Sequence, residues 1–299
     1  MTKFGLSSIL FIIALVTSCQ TTQVRPVNVP TREVHDDLGR MVVVPEKIER
    51  AISLAPSLTE MIFAVRAGDR LVGVTTYCNY PHDAAAIEKV GDTQTPNVER
   101  IIALKPQVVF VSTASQLEAF SKTLEEQGIA VYVTNPTSLQ EVFENLRELG
   151  ELFDETAAAG DLIKSLEDRA ETVRKRSNDE THSVVRPRVF VQISNEPLFT
   201  IGRDSFLTEL IEQAGGISVT SGVPSGYPKL SKETAAALNP EVIILSDSPD
   251  NRDPSNALKD SSAIKNSRVH RINADIISRP GPRLVDALEE IARMLDTPN

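Results

Sequence analysis

Tryptophan is absent from these 299 residues, cysteine occurs twice, histidine four times, and 31 basic side chains face 41 acidic ones. Each shortage excludes something. Two cysteines cannot build a disulfide framework, and without a CxxC or a Cys/His cluster there is no structural zinc site. His35, His82, His182 and His270 are scattered, with no HExxH pair to hold a metal. A net charge of −10 argues against nucleic acid, whose non-specific binders present basic stripes. Neither GxGxxG nor a Walker loop occurs, and Gly222-Val-Pro-Ser-Gly226 puts its serine in the wrong place for a nucleophile elbow. No catalytic residue, metal or cofactor is assigned, and the chain reads as a non-enzyme. Long apolar runs are missing too. The one at residues 9–16 is far short of the ~20 residues that span a bilayer.

What is present begins with an address. Lys3 and the apolar stretch 4–16 have the form of a secretory signal, and Val16-Thr-Ser-Cys19 resembles the bacterial lipobox. On this reading residues 1–18 are a lipoprotein signal peptide. Cys19 carries the lipid, residues 19–31 form a polar tether, and Cys78 is left as the only thiol of the folded part.

Beyond the tether, short β-rich runs at 51–54, 71–75, 108–111, 129–134, 189–193, 242–245 and 269–272 alternate with helical patterns. Ser57-Leu-Thr-Glu60 and Ser138-Leu-Gln-Glu141 read as capping boxes, the first opening a helix to about residue 67. Residues 154–176 hold good helix formers with Leu162, Ile163, Leu166 and Ala170 at helical spacing. The fold class is therefore α/β: an N-terminal α/β lobe over 32–150, a connecting helix and linker over 151–186, and a C-terminal α/β lobe over 187–299. The halves echo each other. The segment 97–111 (NVERIIALKPQVVFV) aligns with 231–245 (SKETAAALNPEVIIL), each copy with a helix cap, a glutamate two places on, an Ala-Leu-x-Pro stop and a buried strand.

Several segments together resemble the helical-backbone class (class III) of periplasmic solute-binding proteins of ABC importers. They are Arg50-Ala-Ile-Ser-Leu-Ala-Pro-Ser-Leu-Thr-Glu60, Leu71-Val-Gly-Val-Thr75, the helix at 97–106, Leu230-Ser-Lys-Glu233 and Arg279-Pro-Gly-Pro-Arg283. Within the class, Tyr77-Cys-Asn-Tyr-Pro81 with Val90-Gly91 is most similar to the cobalamin-binding branch. The resemblance implies two α/β lobes joined by a long rigid helix, a ligand cleft between them, and little hinge motion. It implies capture of a cobalamin-like corrinoid for an ABC importer permease by a monomeric, exported, lipid-anchored protein. Glu99 and Glu233 match the paired glutamates that dock on the permease. Tyr77 and Phe199 match ligand-lining positions, as do the polar pair Asp275 and Arg279. Tyr227, Thr93 and Ser112 fall where a cobalamin-binding relative has tryptophan, so the missing indoles weigh against the corrin ring.

Haem or a ferric siderophore is the alternative metal chelate. Tyr77, His82 and Tyr227 offer axial ligands for haem, whereas Arg279 is the one evident anchor for an anionic siderophore. From other classes, a periplasmic hydrolase would pair His82 or His270 with a cleft serine, and a purely structural lipoprotein would leave the paired glutamates without a role.

Overall fold

The computed structural model describes residues 30–113, 115, 120–177 and 186–296. The signal segment, Cys19 and most of the tether lie outside these residues. A hairpin of β1 (Thr31–His35) and β2 (Met41–Pro45) leads into an N-terminal lobe. That lobe comprises β3 (Ala51–Ser53), α1 (Pro56–Ala64), β4 (Leu71–Val74), α2 (Val98–Ala103), β5 (Val108–Ser112), α3 (Ser121–Glu126), β6 (Ala130–Thr134) and α4 (Leu139–Leu152). A long helix, α5 (Thr156–Ser177), follows. The C-terminal lobe holds β7 (Arg188–Ser194), β8 (Phe199–Thr200), α6 (Phe206–Gln213), β9 (Ile217–Ser218), α7 (Lys232–Leu238) and β10 (Val242–Asp247). It ends with α8 (Ser262–Lys265), β11 (Val269–Asn273), α9 (Ala274–Ile277) and α10 (Leu284–Leu295).

The N-terminal sheet runs β4-β3-β5-β6, all parallel; the other runs β11-β10-β7-β8, with β9 beside the start of β7. In each lobe the first strand lies inside the sheet, and the chain leaves it to one side before returning to the other. Such a reversal opens a crevice at the carboxyl ends of the strands. The internal echo has a structural counterpart. The units α2–β5 and α7–β10 occupy the same place beside β3 and β7. Both helices stop on a left-handed residue before proline, Lys105 at φ 50° and Asn239 at φ 41°.

The helix α5 is one residue pattern made into a strut. Ala159, Ile163, Leu166, Ala170 and Val173 recur at alternating spacings of four and three, and all are buried on one face. Twenty-two residues at 1.5 Å each give about 33 Å, enough to run along both lobes. Its apolar face belongs to one continuous core that includes Leu146 of α4, Ile211 of α6 and Leu288 of α10. Arg169 clips it to α10 by bonds to Asp286 (2.6 Å) and Glu289 (2.8 Å), and holds the Glu289 carboxyl below its ordinary range.

Three details differ from the sequence reading. The helix α1 starts at Pro56, with Ala55 at its cap and no side-chain capping bond, and ends at Ala64 rather than near residue 67. Ser57 thus falls inside the first turn, and Glu60 turns inward to other partners. The second box caps through Ser138 Oγ, which accepts from Glu141 N (3.1 Å), but Glu141 reaches back to Thr137 N rather than to Ser138. The hairpin β1–β2 was not foreseen.

The loop of that hairpin guards the outer edge of β6. Asp36 Oδ2 accepts from Val133 N, Asp37 N donates to Val133 O, Asp37 Oδ2 accepts from Asn135 N, and Arg40 Nη2 donates to Val131 O. Side chains thus take the place of a further strand and remove the free edge that invites aggregation. Asp36 is buried, and it also accepts from Leu38 N, Arg40 N and the Arg40 guanidinium. Substituting Asp36→Ala leaves these donors unmatched and is expected to cost about 3 kcal/mol in urea unfolding. The variant is also expected to self-associate as the β6 edge opens, which sedimentation velocity will detect.

Candidate functional site

The carboxyl end of β4 runs into the loop Tyr77-Cys78-Asn79-Tyr80, and that of β11 runs straight into α9 and the turn Arg279-Pro-Gly-Pro-Arg283. These two segments, from different lobes, touch. Asn79 Nδ2 donates to Asp275 Oδ2 at 2.9 Å. Arg279 Nη1 donates to Asn79 Oδ1 (2.8 Å), and its Nη2 reaches the Tyr77 carbonyl (3.4 Å) and Asp275 Oδ1 (2.7 Å). A Cβ at Gly281 would lie 3.7 Å from the Ser57 carbonyl oxygen of α1, in ordinary contact across the lobes. The strand ends of the two lobes therefore face one another, and the crevice expected from each sheet's topology becomes a shared cleft.

Beneath the contact sits Glu60. Its carboxylate accepts from Arg279 Nη1 (2.9 Å), Arg283 Nε (2.8 Å) and Arg283 Nη2 (2.6 Å), and its side chain is 2% exposed. The Arg283 guanidinium also lies over the Tyr80 ring, 4.2 Å from its centre. These bonds to Glu60 offset the cost of burying Arg283 and raise its pKa above the ordinary value. Burial in a low dielectric strengthens each of these charge pairs, provided that none is left unmatched.

Of the sequence-assigned ligand residues, Tyr77, Asp275 and Arg279 come together here. Thr93 lies close by along the chain, in a loop closed by Gly91, whose carbonyl accepts from Thr76 N. Gly91 has φ 102°, and a side chain there would press on Thr95 O and Asn97 N. Ser112 ends β5 on the same lobe. Phe199 and Tyr227 form a second group on the C-terminal lobe, where Phe199 bridges to Lys229 and Thr200 N bonds Pro228 O. Gly202 is pressed against this loop, since a Cβ there would lie 2.2 Å from Ser225 O. The Tyr227 hydroxyl pairs with Ser205, and burial raises its pKa. Glu99 and Glu233 are exposed in the first turns of α2 and α7, capped by Asn97 and Ser231. The Glu233 carboxyl is held below its ordinary range by its own backbone N–H and by Ser231.

Glu60, Asn79, Tyr80 and Arg283 were not assigned from the sequence. An acid in the middle of an otherwise apolar helix was the available signal for Glu60, because burial obliges it to find cations. Three of the four tyrosines, Tyr77, Tyr80 and Tyr227, are exposed at 61%, 47% and 42%; the first two stand on the loop after β4 and the third on the loop before α7. The fourth, Tyr132, is buried in the N-terminal lobe.

Other features contribute little chemistry. A cavity of about 820 Å³ lies between the hairpin and β6, at the opposite end of the lobe from the cleft. A smaller one of about 570 Å³, lined by Thr137 and by residues around Ser205, opens between the lobes. Cys78 is buried and accepts a hydrogen bond from Thr59 Oγ1. His270 Nε2 is buried without a partner, and burial with Arg268 nearby lowers its pKa. Among the described residues neither His82 nor His270 bonds a serine, no His/Cys/Asp/Glu cluster could hold a metal, and no helix is long and apolar enough to cross a membrane.

Residues 52–276 match the periplasmic binding protein family. An uncharacterized ABC transporter substrate-binding lipoprotein of Bacillus subtilis, YvrC, is 31% identical, across 92% of this chain and 87% of its own. The crystal structure of the periplasmic vitamin B12 binding protein BtuF of Vibrio cholerae superposes with a TM-score of 0.72 at 28% identity. It covers 84% of this chain and 98% of that one. The periplasmic heme-binding protein RhuT of Roseiflexus shares the fold, with a TM-score of 0.73 at 22% identity over 83% of this chain and 98% of its own.

Removing Glu60 leaves two guanidinium groups without their shared partner. Glu60→Ala is expected to lower unfolding free energy by about 3–5 kcal/mol, read from urea denaturation, and to loosen the lobes in hydrogen exchange.

Proposed function

The chain belongs to the periplasmic binding protein family, and from that premise we propose that it captures a cobalamin-like corrinoid and delivers it to the permease of an ABC importer. It is a substrate-binding protein of an ABC transporter, a family whose members bind and release their ligands without chemical turnover. The observation that carries the corrinoid reading is the trio of exposed tyrosines, two on the loop after β4 and one on the loop before α7 of the other lobe. A large flat ligand with an apolar ring and a polar rim needs aromatic surface beside a few hydrogen-bonding groups. Tyr77, Tyr80 and Tyr227 supply the first without any indole; Asp275 and Asn79 supply the second. Phe199, Thr93 and Ser112 complete the proposed lining.

Glu99 and Glu233 are proposed to meet basic residues of the permease, one glutamate per lobe, and to set orientation and encounter rate. Both stand in first helical turns, where the helix dipole favours a free carboxylate. Cys19 is proposed as the lipidated residue that keeps the protein at the outer face of a membrane, and one molecule is proposed to act alone. Haem is the second reading, supported by the fold shared with a heme-binding protein and by tyrosine hydroxyls at the cleft.

Isothermal titration of the purified protein with cyanocobalamin is expected to give one site of micromolar or tighter affinity. Tight haem binding without corrinoid binding would overturn the assignment. A Glu99→Arg, Glu233→Arg double variant is expected to retain ligand affinity and lose uptake in cells. Unchanged uptake would remove the docking role.

A further inference from the structure

The cleft wall built around Glu60 has a charge pattern that bears on ligand choice, and its consequence rests on the reading of the cleft as a metal-chelate site. Two arginines stand there, and an isolated arginine is the usual anchor for a carboxylate. Neither is isolated. Arg279 commits two N–H groups to Glu60 and Asn79, and two more to Asp275 and the Tyr77 carbonyl. A guanidinium has five N–H donors, so little is left to offer. Arg283 gives its Nε and Nη2 to Glu60 and its face to Tyr80. Their side chains are only 10% and 16% exposed. Lys89, close to the same loop, donates to the carbonyls of Cys78 and Ala84.

The charges of Glu60 and Asp275 cancel those of Arg279 and Arg283. Of these four charged side chains the one most open to solvent is an acceptor: the Asp275 side chain is 40% exposed, and each of its oxygens keeps lone pairs beyond the bonds to Asn79 and Arg279. An amide at the ligand rim can donate an N–H to this carboxylate. A carboxylate at the rim has no proton to donate, meets a like charge in Asp275, and finds both guanidinium groups largely buried with their charge already balanced by Glu60 and Asp275.

We propose that Glu60 is a specificity-determining positioning residue. By engaging Arg279 and Arg283 it leaves, together with Asp275, a charge-balanced cluster of four side chains at the cleft that accepts an amide-rimmed ring and rejects a carboxylate-rimmed one. Glu60 acts through the arginines and touches no ligand itself.

The test holds shape constant and changes charge. Cyanocobalamin is compared by calorimetry with each of its monocarboxylate isomers, in which one peripheral amide is hydrolysed. The native protein is expected to bind the amide form at least tenfold more tightly than one or more isomers. Glu60→Gln is expected to shrink that ratio toward one. Asp275→Asn, at a half-exposed position that does not threaten the fold, is expected to do the same. Thermal melts monitor folding of both variants. Equal affinity of the native protein for all forms, or a ratio that neither folded variant moves, would overturn the proposal. Failure of the native protein to bind any corrinoid would remove the corrinoid reading instead, and haem against its dimethyl ester then applies the same charge test. Preference for the ester supports the charge-balanced cluster, while preference for free haem, or binding of neither, overturns it.

Discussion

A single buried carboxylate, that of Glu60, organises the contact between the two halves of this protein. It projects from α1 of one lobe and gathers two arginines from the turn before α10 of the other. A carboxylate this deep must be matched, and the turn that matches it also carries the bonds to Tyr77 and Asn79. The pairing therefore does two things at once. It brings the strand ends of both sheets face to face, and it engages the positive charges that stand closest to the cleft.

The lobes are held at two separated places. Along one side runs α5, whose apolar face is continuous with the cores of both halves. At the cleft, the Glu60 cluster adds a polar tie. A helix packed along its length resists bending in a way that strand linkers do not, and a buried ion cluster tolerates little misalignment. Both ties oppose relative movement of the lobes at the cleft.

Much of the fold was legible in the sequence because its signals are local. The strands at residues 108–112 and 242–247 announce themselves as β-branched runs after an Ala-Leu-x-Pro stop, and α5 by an unbroken period of apolar positions. The β1–β2 hairpin was not legible, since its alternation spans only two five-residue strands and Val42 and Val44 of β2 become core residues only once the hairpin folds onto the N-terminal lobe. Ser57-Leu-Thr-Glu60 was misread for a related reason. The spacing of a capping box is also the spacing of a helix whose start is set by Pro56 and whose fourth residue faces inward. The apolar neighbours of Glu60 hint that it is buried, but nothing local names its partners, two arginines more than two hundred positions away.

The sequence by itself determined the class of the chain: α/β alternation, a repeated helix-strand unit with a glutamate two places after the cap in each copy, and a composition poor in histidine and without tryptophan. These properties are carried by neighbours along the chain, where periodicity and capping act within a few residues. Tertiary structure alone decided which polar groups remain open at the cleft. Arg279 reads in isolation as an anchor for anions, but folding surrounds it with Glu60, Asp275 and Asn79 and spends its donors internally. Charge and hydrogen-bonding capacity are properties of an assembled neighbourhood, and this one is assembled from two lobes.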